Sequence, residues 1–300
     1  MTLEEAIAKI KPLDHNAMEI AQKRWDSIAK PLHSLGKLET LLIQIAGITG
    51  NAEVDLSRRG LIAMCADNGV VEEGVTQTGQ EVTAIVAENF LKYDTSVGVM
   101  CKQNHAEIFP VDMGMVTDTK VRTDHKIAYG TQNMTKGPAM TREQAVKGLE
   151  AGIDMVRELN DKGYRILATG EMGIGNTTTS TAVAAALLDL EVEQVTGKGA
   201  GLTDEALKRK CRVIEEAIEK YSLRDADAFT ILKTVGGLDI AGLTGVFIGA
   251  AIEQIPVVID GVISAVAALL AETLCKGAVN YMIPSHKSRE LAETAIMKKL

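Results

Sequence analysis

Residues 164–190, YRILATGEMGIGNTTTSTAVAAALLDL, decide how this 300-residue chain folds. An apolar β-type run, Tyr164 to Ala168, gives way to Gly170, Gly173 and Gly175. Asn176 and the threonines at 177–179 follow, and then a run of alanines and leucines that reads as a buried helix. Strand, glycine turn and helix start together offer backbone N–H groups and the positive end of a helix dipole to an anion. Gly170 and Gly175 have P-loop spacing, but Asn176 stands in the P-loop lysine position, which argues against a nucleoside triphosphatase loop. The dinucleotide fingerprint fails too, because no third glycine follows at its offset. The segment therefore reads as a phosphate cradle with a carboxylate, Glu171, at its mouth. An ordinary strand-to-helix turn with threonine as N-cap is the plainer alternative, but such a turn needs one glycine rather than three.

Working outward, further apolar runs at 61–65, 107–111 and 255–259 are bounded by turn signals like the run at 165–168. Between them the spacing predicts helices over 81–90, 141–160, 178–190, 203–220, 239–252 and 262–275, with Thr141 as an N-cap. Residues 3–50 read as helical, with a break at Pro31. Strands alternating with helices predict an α/β fold, a largely parallel sheet covered on both faces.

Each of the four β-type runs ends in an acid followed closely by glycine: Asp67-Asn-Gly69, Asp112-Met-Gly114, Glu171-Met-Gly173 and Asp260-Gly261. Carboxyl ends of neighbouring parallel strands open on one edge, so the four acids are expected to share one crevice. Beside a phosphate cradle they would serve another part of the ligand: ribose hydroxyls, a developing positive charge, or Mg²⁺. Asp and Gly also begin turns and cap helices, which would explain one or two of the four. Thr196-Gly-Lys-Gly-Ala-Gly-Leu-Thr203 and Pro284-Ser-His-Lys-Ser288 also suit phosphate, whereas Lys208, Arg209 and Lys210 fit a solvated helix face and His286 a surface turn.

Composition narrows the classes. A 46% hydrophobic content supports a large core, and only 3% aromatics means that it is built from Ala, Val, Ile, Leu and Met. A net charge of −8 with no basic stripe argues against nucleic acid. The N-terminal MTLEEAIAKIK is amphipathic and acidic, unlike a signal peptide, and the longest uncharged run, 240–252, is too short to span a bilayer. The cysteines, Cys65, Cys101, Cys211 and Cys275, lack CxxC spacing, and the histidines lack HxxxH spacing. That pattern points to a reducing cytoplasm and gives no transition-metal site.

Taken in order, KPLHSLGKLE (30–39), CADNGVVEEGV (65–75), QEVTA (80–84), VDMGM (111–115), GPAMTREQA (137–145), GEMGIGNTTT (170–179), TGKGAGL (196–202), VGGLDIAGLTG (235–245), PVVIDGVIS (256–264) and PSHKS (284–288) resemble one family. It is the nicotinate-nucleotide:dimethylbenzimidazole phosphoribosyltransferases of cobalamin lower-ligand assembly. The resemblance implies a Rossmann-like parallel sheet flanked by helices, a smaller helical domain, and a homodimer. Residues 1–55 would supply the N-terminal helices of the small domain, 56–290 the nucleotide-binding domain, and 291–300 the start of its C-terminal segment. The implied reaction moves phosphoribosyl from nicotinate mononucleotide to 5,6-dimethylbenzimidazole, without cofactor or metal, giving α-ribazole 5′-phosphate and nicotinate.

By motif position, Gly175, Asn176, Thr177, Thr178, Lys210 and Ser288 would hold phosphate and ribose. Asp260 and Gly261 would line the nucleotide site and Thr78 would border the base pocket. Two departures stand out. His33 occupies a place where the family more often has glycine. The family also continues through a glycine-rich segment carrying its principal catalytic Glu, whereas this chain stops at Leu300, which leaves Glu171 as the expected base. The alternatives are a base-exchange variant using adenine or phenols, a nucleotide- or benzimidazole-binding protein with impaired catalysis, and a Mg²⁺-dependent sugar-phosphate enzyme. EDTA would inactivate only the last.

Overall fold

Alternating apolar runs and helical segments build a five-stranded, wholly parallel sheet in the order β2-β1-β3-β4-β5. The computed structural model describes residue 5 and residues 8–199 and 201–300; the start of the helix expected from residue 3, at residues 3, 4, 6 and 7, lies outside them. The strands are β1 (Arg59–Ala66), β2 (Ala106–Gly114), β3 (Ile166–Met172), β4 (Val257–Ile259) and β5 (Met282–Pro284). The N-terminal hairpin is α1 (His15–Ser27) and α2 (Lys37–Thr49); α3 (Glu81–Lys92) and α4 (Ser96–Gln103) cross from β1 to β2, and α5 (Arg142–Asp161) crosses to β3. After β3 come α6 (Asn176–Leu188), α7 (Val192–Val195), α8 (Asp204–Lys220), α9 (Ala228–Val235) and α10 (Leu238–Glu253). Last are α11 (Val262–Leu274) between β4 and β5, and α12 (Leu291–Lys299).

Four of these elements escaped the sequence reading, α7 among them with only four residues. The strand β5 is three residues long at a sheet edge, where Pro284 is tolerated because no outer neighbour needs its missing N–H. The helices α4 and α9 have eight residues each, too few turns to show a firm 3.6-residue period. The α6 helix starts at Asn176, two residues before its expected start. Thr141 is the N-cap of α5 as expected, and it forms a full capping box with Gln144. His33 adopts φ 57°, in the left-handed region where glycine is at ease.

Alternation along β1 sorts the core into two layers. Ile62, Met64 and Ala66 point into the larger cluster, while Ala63 and Cys65 point into a smaller one with Ala84, Ala87, Phe90 and Cys101 from α3 and α4. On the larger side α5 and α10 touch backbone to backbone. A Cβ on Gly152 would stand 2.0 Å from the Gly242 carbonyl oxygen, and one on Gly245 2.1 Å from that of Leu149. Asp14 N–H to Gly47 O at 2.9 Å ties α1 to α2, and the hairpin docks on this body through Gln44 Nε2 to Asn280 O at 3.0 Å. Among the described residues no helix is long and apolar enough to cross a membrane.

The chain leaves β1 toward β2 on one side and later fills β3 on the other, so the sheet order reverses between β1 and β3. Open α/β sheets place ligands at the carboxyl ends of the strands beside such a point. The 164–190 segment ends its strand at that place.

Candidate active site

At the carboxyl end of β3 a cavity of about 260 Å³ is lined by Thr76, Gln77, Thr78, Glu171, Gly175 and Thr177, among others. A larger groove, about 960 Å³, lies between α7 and α8, away from the strand ends and rimmed by Glu191, Glu193, Glu205 and Glu215. The smaller cavity carries the convergent polar groups, so position and chemistry favour it over volume. It unites five residues singled out from the sequence: Thr78, Glu171, Gly175, Asn176 and Thr177.

The turn that forms its floor is held from below. Thr83 of α3 accepts the Ile174 N–H at 3.1 Å, and Gln80 Nε2 donates to Asn68 O at 3.1 Å. Packing accounts for all three glycines of the turn. Gly175 has φ +95°, and a Cβ there would lie 2.9 Å from Val71 Cγ2. A Cβ on Gly173 would meet Asp239 Oδ2 at 2.5 Å, and one on Gly170 would press on Leu61 at 3.0 Å. The expectation that three glycines exceed what a turn needs is therefore answered by close neighbours, without appeal to a ligand. Two amides of the cradle also turn back into it: Asn176 N–H donates to Gly173 O (3.0 Å) and Thr178 N–H to Gly175 O (2.9 Å). Thr178 is fully buried, and its hydroxyl finds no partner among the described residues.

Lys210 reaches the same turn from α8. The residue is 1% exposed, which corrects the solvated-face reading for this lysine, and its ammonium donates to Thr177 Oγ1 at 3.0 Å and to Gly197 O at 3.4 Å. Burial pulls its pKa down to about 8, against the pull of the Glu290 carboxylate. An anion beside Thr177 would restore the charged form. Lys198 also lines the cavity and is paired with Asp204 at 2.7 Å. Ser288, Asp260 and Gly261 are not among the residues lining the cavity: Ser288 accepts the Glu290 N–H at 3.2 Å, Asp260 is exposed, and Gly261 has open space where a Cβ would be. His286 is exposed and pairs with Ser285 Oγ at 2.8 Å, as expected of a turn histidine.

The four strand-end acids do not all open on one crevice. Asp67 and Asp112 are fully buried and hold the loop after β2: Asp67 Oδ2 accepts the Val116 N–H and Asp112 Oδ1 the Met115 N–H, both at 2.8 Å. Lys126 completes that arrangement 3.2 Å from Asp112 Oδ2. Of the four only Glu171 lines the cavity, and Asp260 is near enough for its charge to bear on Glu171. Asp and Gly begin turns because their side chains bond local amides, and for two of the four that role took precedence.

Glu171 keeps a little surface toward the cavity although protein surrounds it on nearly every side. Burial and the nearby charge of Asp239 push its pKa up to about 7, opposed by a hydrogen bond from Asn176 Nδ2. A carboxyl poised near neutrality suits proton abstraction. Asp239 was not singled out from the sequence, although an acid opening a helix with no further charge until Glu253, after Gly236 and Gly237, is a legible signal. No group of three or more His, Cys, Asp or Glu among the described residues could hold a metal ion.

Comparison with known proteins agrees with this geometry. Residues 10–300 match the model of a family described as phosphoribosyltransferase. The chain is 47% identical to the nicotinate-nucleotide–dimethylbenzimidazole phosphoribosyltransferase of Ruminiclostridium cellulolyticum, covering 100% of this chain and 86% of that protein. The protein of the same name from Clostridium acetobutylicum is also 47% identical, with the same coverage. The crystal structure of the protein so named from Thermus thermophilus superposes with a TM-score of 0.88 at 31% identity, over 96% of this chain and 86% of that one.

Proposed function

Because the chain belongs to the nicotinate-nucleotide:dimethylbenzimidazole phosphoribosyltransferases, we infer that it transfers phosphoribosyl from nicotinate mononucleotide to 5,6-dimethylbenzimidazole. The products are α-ribazole 5′-phosphate and nicotinate, for the lower ligand of cobalamin. In the reaction the C1′–N bond to the pyridinium breaks, and its electron pair leaves with nicotinate as a neutral ring nitrogen that needs no general acid. A bond from a benzimidazole nitrogen to C1′ forms, and the other ring nitrogen gives up its proton.

Glu171 is proposed as the base that takes this proton. The observation that carries the assignment is a carboxyl facing the cavity with its pKa raised to about 7. The same carboxylate lies where positive charge on the ribosyl carbon would be stabilised. Thr177, Thr178, Lys210 and the turn at Gly175–Asn176 are proposed to hold the phosphate and ribose, with Ser288 closing the site from β5's side. Thr78 would border the base, and Asp260 with Gly261 would line the nucleotide rim.

Incubation of the protein with nicotinate mononucleotide and dimethylbenzimidazole, with and without EDTA, tests the reading. Formation of α-ribazole phosphate and nicotinate in both is the expected result, and binding of both substrates without product would defeat it. Gly175→Val should weaken nucleotide binding by roughly 10-fold or more, since the side chain meets both a positive φ and Val71. Nucleotide affinity measured by calorimetry and left unchanged would remove the turn from the site.

A homodimer in the cytoplasm is proposed as the working form. The four cysteines are unpaired, as a reducing compartment requires. Leu32, Leu35 and Leu38 in and beside the α1–α2 connection are about half exposed or more, an apolar row suited to a second copy. Light scattering should give twice the 32.1 kDa chain mass at micromolar concentration, and a monomer mass would reject the dimer.

A further inference from the structure

We infer that Asp239 is a positioning residue for the reaction, holding Glu171 through the side-chain amide of Asn176. The inference rests on the reading of Glu171 as the base and extends it to the group behind it. Asn176 Nδ2 carries two hydrogens and bonds two carboxylates: Glu171 Oε2, and Asp239 Oδ2 at 3.0 Å. One amide therefore fixes both acids, and the acid facing the cavity is tied to one that has no exposed surface.

The surrounding backbone is shaped to admit this second carboxylate. A Cβ at Gly173 would collide with Asp239 Oδ2 at 2.5 Å, and one at Gly237 with Oδ1 at 2.3 Å. Asp239 Oδ1 also accepts its neighbour Ile240's N–H at 2.9 Å, at the first turn of α10, where the helix dipole favours a negative charge. A buried acid that served packing alone would be costly, since an apolar residue would fill its place without desolvation. Two glycines from separate segments and a shared amide make sense if a charge is needed next to Glu171.

The charged and titratable groups facing the pair are all acids or a thiol. Asp260 from the end of β4 bears on Glu171, Asp67 from the end of β1 bears on Asp239, and Cys65 of β1 feels Glu171, Asp112 and Asp239. No lysine, arginine or histidine among the described residues forms an ion pair with Glu171 or Asp239. Burial raises Asp239 to about 6, so near neutrality it is largely ionised and resists ionisation of Glu171. Asp239 thus sets the basicity of Glu171, while Asn176 sets its direction.

The test reads Glu171 itself. In protein carrying ¹³C-carboxyl glutamate, with the Glu171 signal assigned by its loss in Glu171→Gln, the Asp239→Asn variant should lower the Glu171 midpoint by about one pH unit or more. The acid limb of the kcat profile should move down by the same amount. At pH 9, where Glu171 is ionised in both proteins, kcat should fall several-fold, up to about 10-fold, while the nucleotide KM stays within about twofold, because a weaker base is left in an intact binding site. An unmoved Glu171 midpoint overturns the inference. A moved midpoint with an unmoved rate profile keeps the coupling and instead rejects Glu171 as the base. If Asp239→Asn does not fold, ¹³C-aspartate serves: in the parent protein the Asp239 signal should show, besides its own step at about 6, a second step as Glu171 ionises at about 7 that disappears in Glu171→Gln, and absence of that second step in the parent overturns the inference.

Discussion

Replacing Glu171 by Gln should lower the transfer rate roughly 10²–10⁴-fold and at the same time make the protein more stable in mild alkali. The two effects have one origin. A carboxyl with its pKa raised to about 7 by burial and by Asp239 is costly to ionise in the folded chain. In the unfolded chain it ionises at its ordinary value. Stability from the protonated group is thus fully present below about pH 4.5 and is lost as pH rises through about 7. Gln keeps the shape and still accepts from Asn176, so that pH-dependent loss disappears. With allowance for the surface open to the cavity, the gain at pH 8 should be roughly 2 kcal/mol, and near zero at pH 4. Thermal unfolding of the two proteins at both pH values, beside single-turnover rates, reads both halves. Equal stabilities at pH 8 would mean that Glu171 is not held as described, whatever the rate shows.

The largest loss of stability is expected far from the cavity. Gly152→Val should cost about 3 kcal/mol or more, enough to leave little folded protein at 37 °C. Its Cβ would be placed 2.0 Å from Gly242 O and 2.6 Å from Val246 N, both backbone atoms of a helix that cannot step aside. All but two residues of α10 are buried, so its other faces are braced as well. Separating α5 from α10 would also shift the start of α10, where Asp239 lies. Urea titration measures the loss. A midpoint within experimental error of the parent would show that the helices are not in backbone contact. Gly137→Val is the control, since nothing lies within 4 Å of a Cβ there.

Local pattern carried much of this protein's design. Apolar runs and helical spacing located β1, β2, β3 and β4 and most helices, because a period of 2 or 3.6 is set by the backbone alone. Thr141 declared a helix start because capping needs only the next three residues. The motif at 170–179 marked the site for the same reason: strand, turn and helix start are neighbours in the chain. Elements too short to show a period, α4, α7, α9 and β5, were silent.

Long-range partners were not legible. Asp67 and Asp112 looked equivalent to Glu171 in their Asp/Glu-x-Gly settings, yet the loop after β2 claims both of them. Gly173 looked like part of an anion cradle, whereas the space its missing Cβ leaves is taken by a carboxylate 66 positions away in the chain. By itself the sequence determined where strands turn into helices, which turn lines the cavity, and, through its motifs, the family. Only the tertiary structure decided which strand-end acid lines the cavity and which way its pKa is moved. The physical reason is that a pKa depends on what lies within a few ångströms, and three segments meet there: Glu171 on β3, Asn176 at the head of α6 and Asp239 at the head of α10.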